Sequence, residues 1–211
     1  MSEFEIQSIA VVMPEPAIPS RVEQQTEQER QDEVVQTPDL FEGSVNLITN
    51  KFDWMTNSGA NSTANIVINK EVIDGEEKDV MTININLSEW EWAGIMNHHQ
   101  DIIRQLREGS GVRFKVLGNG KRWWISFAIP ETSGTGGDYG LLITTRNRRV
   151  VEVDIPFSQL RQPNWYTGSR TLFDKNSITG LHIERNWASD GVSGNSATGR
   201  AVIKIFDLEI Y

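Results

Sequence analysis

Seven tryptophans, Trp54, Trp90, Trp92, Trp123, Trp124, Trp165 and Trp187, punctuate a chain of 211 residues that has no cysteine. An indole left uncovered can stack its flat face on the C–H face of a ring-shaped ligand and donate its N–H to a polar partner. Seven such rings exceed what a core of this size requires. Strand parity sorts some of them. In Arg122–Ile129, Trp123 shares a side with Ile125, Phe127 and Ile129, which leaves Trp124 on the other face with Ser126 and Ala128. Small residues beside Trp124 leave room for a ligand. Trp90 and Trp92 are two apart and share a face if a strand runs through them. Trp187, between Asn186 and Asp190, is placed to rim a cleft. Trp165, after Pro163, is expected to pin a loop to the core.

A site built on such rings also needs a few polar groups aimed the same way. His182 and Glu184 alternate with Leu181 and Ile183 and so point away from the core. Tyr139 and Arg146 stand at the two ends of another strand candidate. Patterns that would signal catalysis are weak. His98, His99 and Asp101 resemble a metal cluster, but adjacent residues on a helix point about 100° apart. The run Ser133-Gly134-Thr135-Gly136-Gly137 lacks the Lys-Ser/Thr ending of a phosphate loop and is expected to be a mobile loop at a cleft edge. No Ser/His/Asp arrangement has a recognisable context, and no carboxylate pair stands out for glycoside hydrolysis. These residues point to a protein that binds, not to an enzyme.

A formal net charge of −9 argues against nucleic acid and anionic membrane surfaces as partners. No apolar run approaches the roughly 18 residues of a membrane span. Without cysteine, disulfides and thiolate metal sites are excluded.

Residues 1–38 differ in character from the rest of the chain. Pro14, Pro16 and Pro19 interrupt regular structure, and Arg21 to Gln36 is Glu/Gln-rich, as in a disordered linker or tail. Phe4 to Gln7 echoes the alternation of Phe206 to Ile210, as the last strand of a preceding module would, or by chance. Residues 39–211 form the folded domain. Thr63–Asn69, Met81–Leu87, Val112–Val116, Arg122–Ile129, Tyr139–Thr145, Val150–Ile155, Ile178–Glu184 and Ala201–Tyr211 have strand character, and Gly118-Asn119-Gly120 supplies a tight turn. Ile95, His99, Ile102, Ile103 and Leu106 instead recur at helical spacing. They predict a helix over about 97–108, capped by Asn97 and Gly109, with Asp101 near its start and Arg104 and Arg107 near its end. The expected fold is all-β: a two-sheet antiparallel β-sandwich with one short inserted helix.

Three segments carry a resemblance. Gly111 to Val116 followed by Gly118-Asn119-Gly120 and an aromatic strand, Val151 to Leu160 with its Ile155-Pro156-Phe157-Ser158 core, and the closing Ile203 to Tyr211 occur in the order and spacing of galactose-binding-like jelly rolls. Over about 40–211 the chain resembles family-11 carbohydrate-binding modules and the complex I intermediate-associated protein 30 family. It departs from their pattern at Asn119 and Phe206, where those families carry Asp, and in the helix.

The resemblance implies a non-catalytic module that binds a polysaccharide or oligosaccharide on the concave face of the sandwich. Trp124, Trp90, Trp92, Trp187, Tyr139, Arg146, His182 and Glu184 are the residues to which this role falls. It implies a structural calcium ion held by carboxylates such as Glu42 and Asp207. It also implies a bacterial secreted protein, extracellular or periplasmic, working with linked catalytic or other modules of a glycan-degrading system. The alternative on the same fold is a protein-interaction or assembly module, which would show an exposed apolar patch in place of a groove.

Overall fold

The computed structural model describes residues 47–48, 53–132, 135–189 and 197–211. Ten strands occur there: β1 (Trp54–Ser58), β2 (Thr63–Ile73), β3 (Glu76–Leu87), β4 (Trp92–Asn97), β5 (Gly111–Gly118), β6 (Arg122–Ala128), β7 (Tyr139–Thr144), β8 (Val150–Pro156), β9 (Gly180–Asn186) and β10 (Gly199–Ile210). One helix, α1 (Gln100–Glu108), lies between β4 and β5. The strands form two five-stranded antiparallel sheets, ordered β1-β4-β9-β6-β7 and β2-β3-β10-β5-β8. Only the β2–β3 and β6–β7 links stay within one sheet; every other link crosses between sheets. That alternation gives the jelly-roll character expected from the sequence.

Period-two patterning explains why the sheets meet as they do. Ile95, Trp123, Ile125, Phe127, Leu181 and Ile183 of the first sheet interlock with Ile83, Ile85, Phe114, Val116, Ile203 and Ile205 of the second. Trp54 and Trp123 are core residues, and the Trp54 Nε1 donates to the Leu47 carbonyl at 3.2 Å. The β2–β3 hairpin runs further than its apolar residues suggest. Asp74 and Gly75 both take positive φ at its tip, the backbone that a two-residue primed turn requires.

The helix differs from expectation at its start. Ile95 lies in β4, buried, and not on the helix. Asn97 ends β4, fully buried, and its Oδ1 accepts from the His99 N–H at 2.9 Å. His99 is the N-cap, its Nδ1 accepting from the Asp101 N–H. Ile95 satisfies both periods at once, so spacing alone assigned it to the wrong element. Gly109 does cap the C-terminus, donating to the Gln105 carbonyl at 2.8 Å. Ile102, Ile103 and Leu106 form the buried stripe of α1. The tail expected over residues 1–38, the ligand candidate Glu42, and Ser133 and Gly134 lie outside the described residues. No helix among the described residues is long and apolar enough to cross a membrane.

Candidate functional site

The outer face of the first sheet can be laid out row by row from its register. One row reads Asn57, Gly94, Glu184, Trp124, Leu142, and the next Met55, Met96, His182, Ser126, Gly140. At one end Trp92 sits opposite Asn186, and Arg122 opposite Thr144. At the other end Ala128 sits opposite Gly180. Trp124, Ser126, His182 and Glu184 therefore share the face that parity assigned to them. Gly94 and Gly140 keep the floor low. A Cβ at Gly94 would fall 2.3 Å from the Ile183 carbonyl oxygen, and one at Gly140 2.2 Å from that of Ile125.

Four tryptophans form a chain of ring contacts on this face. Trp124 meets Trp165 edge-on at 5.3 Å between centroids, Trp165 lies 6.3 Å from Trp187, and Trp187 lies 5.3 Å from Trp90. Exposure grades along it. Trp124 retains 7% of its surface, whereas Trp90 at the far end retains 57%; Trp92, outside this chain of contacts, retains 43%. Trp165 thus does not pin its loop to the inter-sheet core as expected; it covers Trp124. The cause lies in the loop after β8. Arg161 and Gly140 exchange backbone hydrogen bonds of 2.9 and 3.2 Å. Gln162 donates to the Gly137 carbonyl and accepts from the Thr171 N–H, both at 3.2 Å. Anchored at the edge strand, the loop carries Trp165 over the sheet.

The exposed rings are held by a carboxylate. Trp90 takes φ 61° in the turn before β4, so it does not share a strand with Trp92. Between them, Glu91 accepts from the Asn61 N–H at 3.0 Å, the Asn61 side-chain amide at 3.0 Å and the Ser62 hydroxyl at 2.6 Å. Those hydrogen bonds hold its carboxyl below the usual range, the Ser62 hydroxyl contributing most. Trp187 is fixed by its own backbone, its N–H donating to the Glu91 carbonyl at 2.8 Å. One clamp therefore positions three rings.

Ionisable side chains line the end away from Trp92. The His98 Nδ1 lies 2.7 Å from the Thr179 carbonyl, which can only accept, so this nitrogen carries a proton. In neutral His98 the Nε2 is then an acceptor, and it receives the His182 Nε2–H at 3.2 Å. The His182 Nδ1 faces an Asp138 oxygen at 3.4 Å, and the other Asp138 oxygen accepts from the Thr132 hydroxyl at 2.8 Å. Burial raises Asp138 to about 6 and lowers His182 to about 4. Burial first, and the Asp138 charge second, raise Glu184 to about 8. At neutral pH Glu184 keeps its proton and can donate as well as accept a hydrogen bond.

Tyr139 is not brought to this face. It is 4% exposed on the core side, where its hydroxyl meets Thr171. Arg146 stands exposed just past β7. His98, Asp138 and Trp165 join the face without having been expected there. Asp138 precedes β7 by one residue, on the opposite parity to Tyr139, which was a usable signal. His98 reaches the face only because β4 ends beside Gly180, where a Cβ would meet its ring at 2.5 Å. Trp165 had no local signal.

Asp207 does not fit a calcium shell. It takes φ 52° at the irregularity of β10, and its two oxygens face Lys78 at 3.6 Å and Lys115 at 3.2 Å. No cluster of three or more potential metal-ligating His, Asp or Glu residues occurs among the described residues.

The fold has known counterparts. A family 11 carbohydrate-binding module of the cellulosomal cellulase Lic26A-Cel5E of Clostridium thermocellum superposes with a TM-score of 0.52 at 18% identity, over 80% of this chain and 94% of that one. A family 11 module from Clostridium thermocellum in complex with a β-1,3-1,4-mixed-linked tetrasaccharide gives 0.51 at 17% identity, over 79% and 93%. The fold is that of the family 11 modules. At such identities the likeness is one of fold. No family model and no curated protein matches the sequence.

Proposed function

We propose that this sandwich is a non-catalytic carbohydrate-binding module that takes a polysaccharide or oligosaccharide along the outer face of the β1-β4-β9-β6-β7 sheet. One observation carries the reading. Trp90 and Trp92, among the most exposed large apolar side chains, stand beside Trp187 at the end of a low floor bearing Glu184, Ser126 and His182. Stacking platforms next to hydrogen-bonding groups suit a pyranose, which has apolar C–H faces and a rim of hydroxyls. Solved proteins of the same fold bear the name of carbohydrate-binding modules, which supports the same conclusion.

In this reading Trp92, Trp90 and Trp187 stack on the ligand, while Glu184 and His182 pair with hydroxyls. Trp124, under Trp165, supports the floor. A module of this kind concentrates partner or linked glycan-degrading enzymes on their substrate, which places the protein outside the bacterial cytoplasm. Titration of tryptophan fluorescence with neutral and charged oligosaccharides tests the proposal. A saturable shift that Trp92→Ala removes supports it; no shift with any glycan, alongside an intact circular dichroism spectrum, refutes it.

A further inference from the structure

The positive charge of this protein is unevenly placed. Residues 1–46 hold ten of the 29 acidic side chains and two of the 20 basic ones, so positions 47–211 are close to neutral, with 19 acids and 18 bases. Within that balanced part, positions 121–149 hold five bases, Lys121, Arg122, Arg146, Arg148 and Arg149, against two acids. The acids, Glu131 and Asp138, follow β6 and precede β7, at the far end of both strands.

The fold gathers the five bases at one corner. The Lys121 carbonyl accepts from the Thr145 N–H at 3.1 Å and from its hydroxyl at 2.8 Å. Gly118 bridges Asn147, locking the β5–β6 and β7–β8 turns side by side. Arg146 and Arg149 face each other across a bridge, and Arg148 takes φ 57°. Like charges directly opposite and a non-glycine residue with positive φ both cost stability.

Elsewhere six surface cations have acidic partners, and Arg107, Arg161, Arg170 and Lys175 donate to backbone carbonyls. Lys70 pairs with Glu77, Lys78 with Glu76, Arg104 with Asp101, Arg113 with Asp154, Lys115 with Asp207 and Lys204 with Glu71. Lys121, Arg146, Arg148 and Arg149 make no ion pair among the described residues. The corner also continues the candidate site. Arg122 shares the outer face with Trp124, two residues along β6, at the same end of the sheet as Trp92.

We propose that the ligand of this face is an anionic polysaccharide, its carboxylate or sulfate groups held by Arg122, Arg146, Arg148 and Arg149 while its rings lie along the exposed tryptophans. This rests on the carbohydrate-binding reading. Guanidinium groups suit such anions because their planar donor fork matches paired oxygens. Charge separates the preferred glycan from neutral ones, and it does so most at low salt, where screening is weakest.

The full chain is titrated with polygalacturonate, a sulfated galactan and a neutral mixed-linkage β-glucan at about 20 and about 300 mM salt. Tight binding of one charged glycan, at least about tenfold stronger than the neutral one at low salt, identifies its anion. An Arg146→Gln/Arg149→Gln double variant loses most of that preference and keeps its circular dichroism spectrum. Arg113→Gln/Lys115→Gln, on the other sheet, retains it. Equal binding of charged and neutral glycans overturns the inference and leaves the module reading standing. Equal losses in both double variants overturn it as mere net charge. Binding of a single-stranded oligonucleotide without any glycan overturns both readings.

Discussion

The two outer faces of the sandwich are both polar, yet they use polarity differently. On the β2-β3-β10-β5-β8 sheet, charges are spent on one another. Arg113 meets Asp154, Lys115 and Lys78 meet Asp207, and the Tyr211 hydroxyl donates to Asp154 at 2.5 Å. Beside these lie hydroxyl and amide pairs such as Asn65 opposite Asn84 and Thr63 opposite Asn86. Such a face is complete in itself. On the β1-β4-β9-β6-β7 sheet, tryptophans stand in a row, glycines keep the floor low, and partly buried Glu184, His182 and Asp138 have ionisation displaced by desolvation. Under the proposed reading, these groups beside exposed aromatic surface mark the ligand face.

The comparison is sharpest between two indoles of the same sheet face. Trp124→Ala empties a covered position and should cost about 3–5 kcal/mol, read as a lower denaturation midpoint. Trp92→Ala should leave that midpoint nearly unchanged while weakening glycan binding on the order of tenfold, since an aromatic contact contributes about 0.5–1.5 kcal/mol beyond its area. Were both variants to lose stability and neither affinity, the division between supporting and binding rings would collapse.

Glu91→Ala comes next. It removes the clamp on the turn and should reduce affinity several-fold by calorimetry, although Glu91 itself need touch no ligand. Unchanged affinity would show that the rings hold their places without it.

A third measurement concerns pH. Glu184 titrates near 4.5 when unfolded and about 8 when folded, so the native state binds the extra proton and stability falls as pH rises through that window. Asp138, raised from 3.8 to about 6, acts in the same sense at lower pH. His182, lowered from 6.5 to about 4, opposes it there. Glu184 is left to govern the range from pH 6.5 to 8. The melting temperature should drop across that range, and Glu184→Gln should flatten the drop. A flat profile in the unsubstituted protein would mean that Glu184 ionises as an ordinary carboxylate.

The smallest effect belongs to the other sheet. Chelation of divalent ions should leave the melting temperature unchanged, because Asp207 already faces two lysines; a fall of several degrees would restore a cation to that corner.

Much of this was legible in one dimension. Alternation in Met81–Leu87, Val112–Val116 and Arg122–Ile129 determined strands and their buried sides, because side chains on a strand have period two whatever it packs against. The same rule determined that Trp124, His182 and Glu184 face outward. It put Tyr139 with Leu141 and Ile143, a consequence the choice of Tyr139 as a ligand residue overlooked. Ile95 fitted strand and helix alike, and only burial in β4 resolved it.

What covers what was decided by tertiary structure alone. Parity says which side of a sheet a ring takes, but not whether a loop from 40 residues further along will lie on it. Trp165 covers Trp124 because Arg161 and Gln162 fasten its loop to the edge of β7. His98 meets His182 because β4 and β9 are neighbours. The basic corner exists because two turns, distant in sequence, bond through Lys121 and Thr145. Contacts between segments depend on chain path, and local spacing carries no record of it.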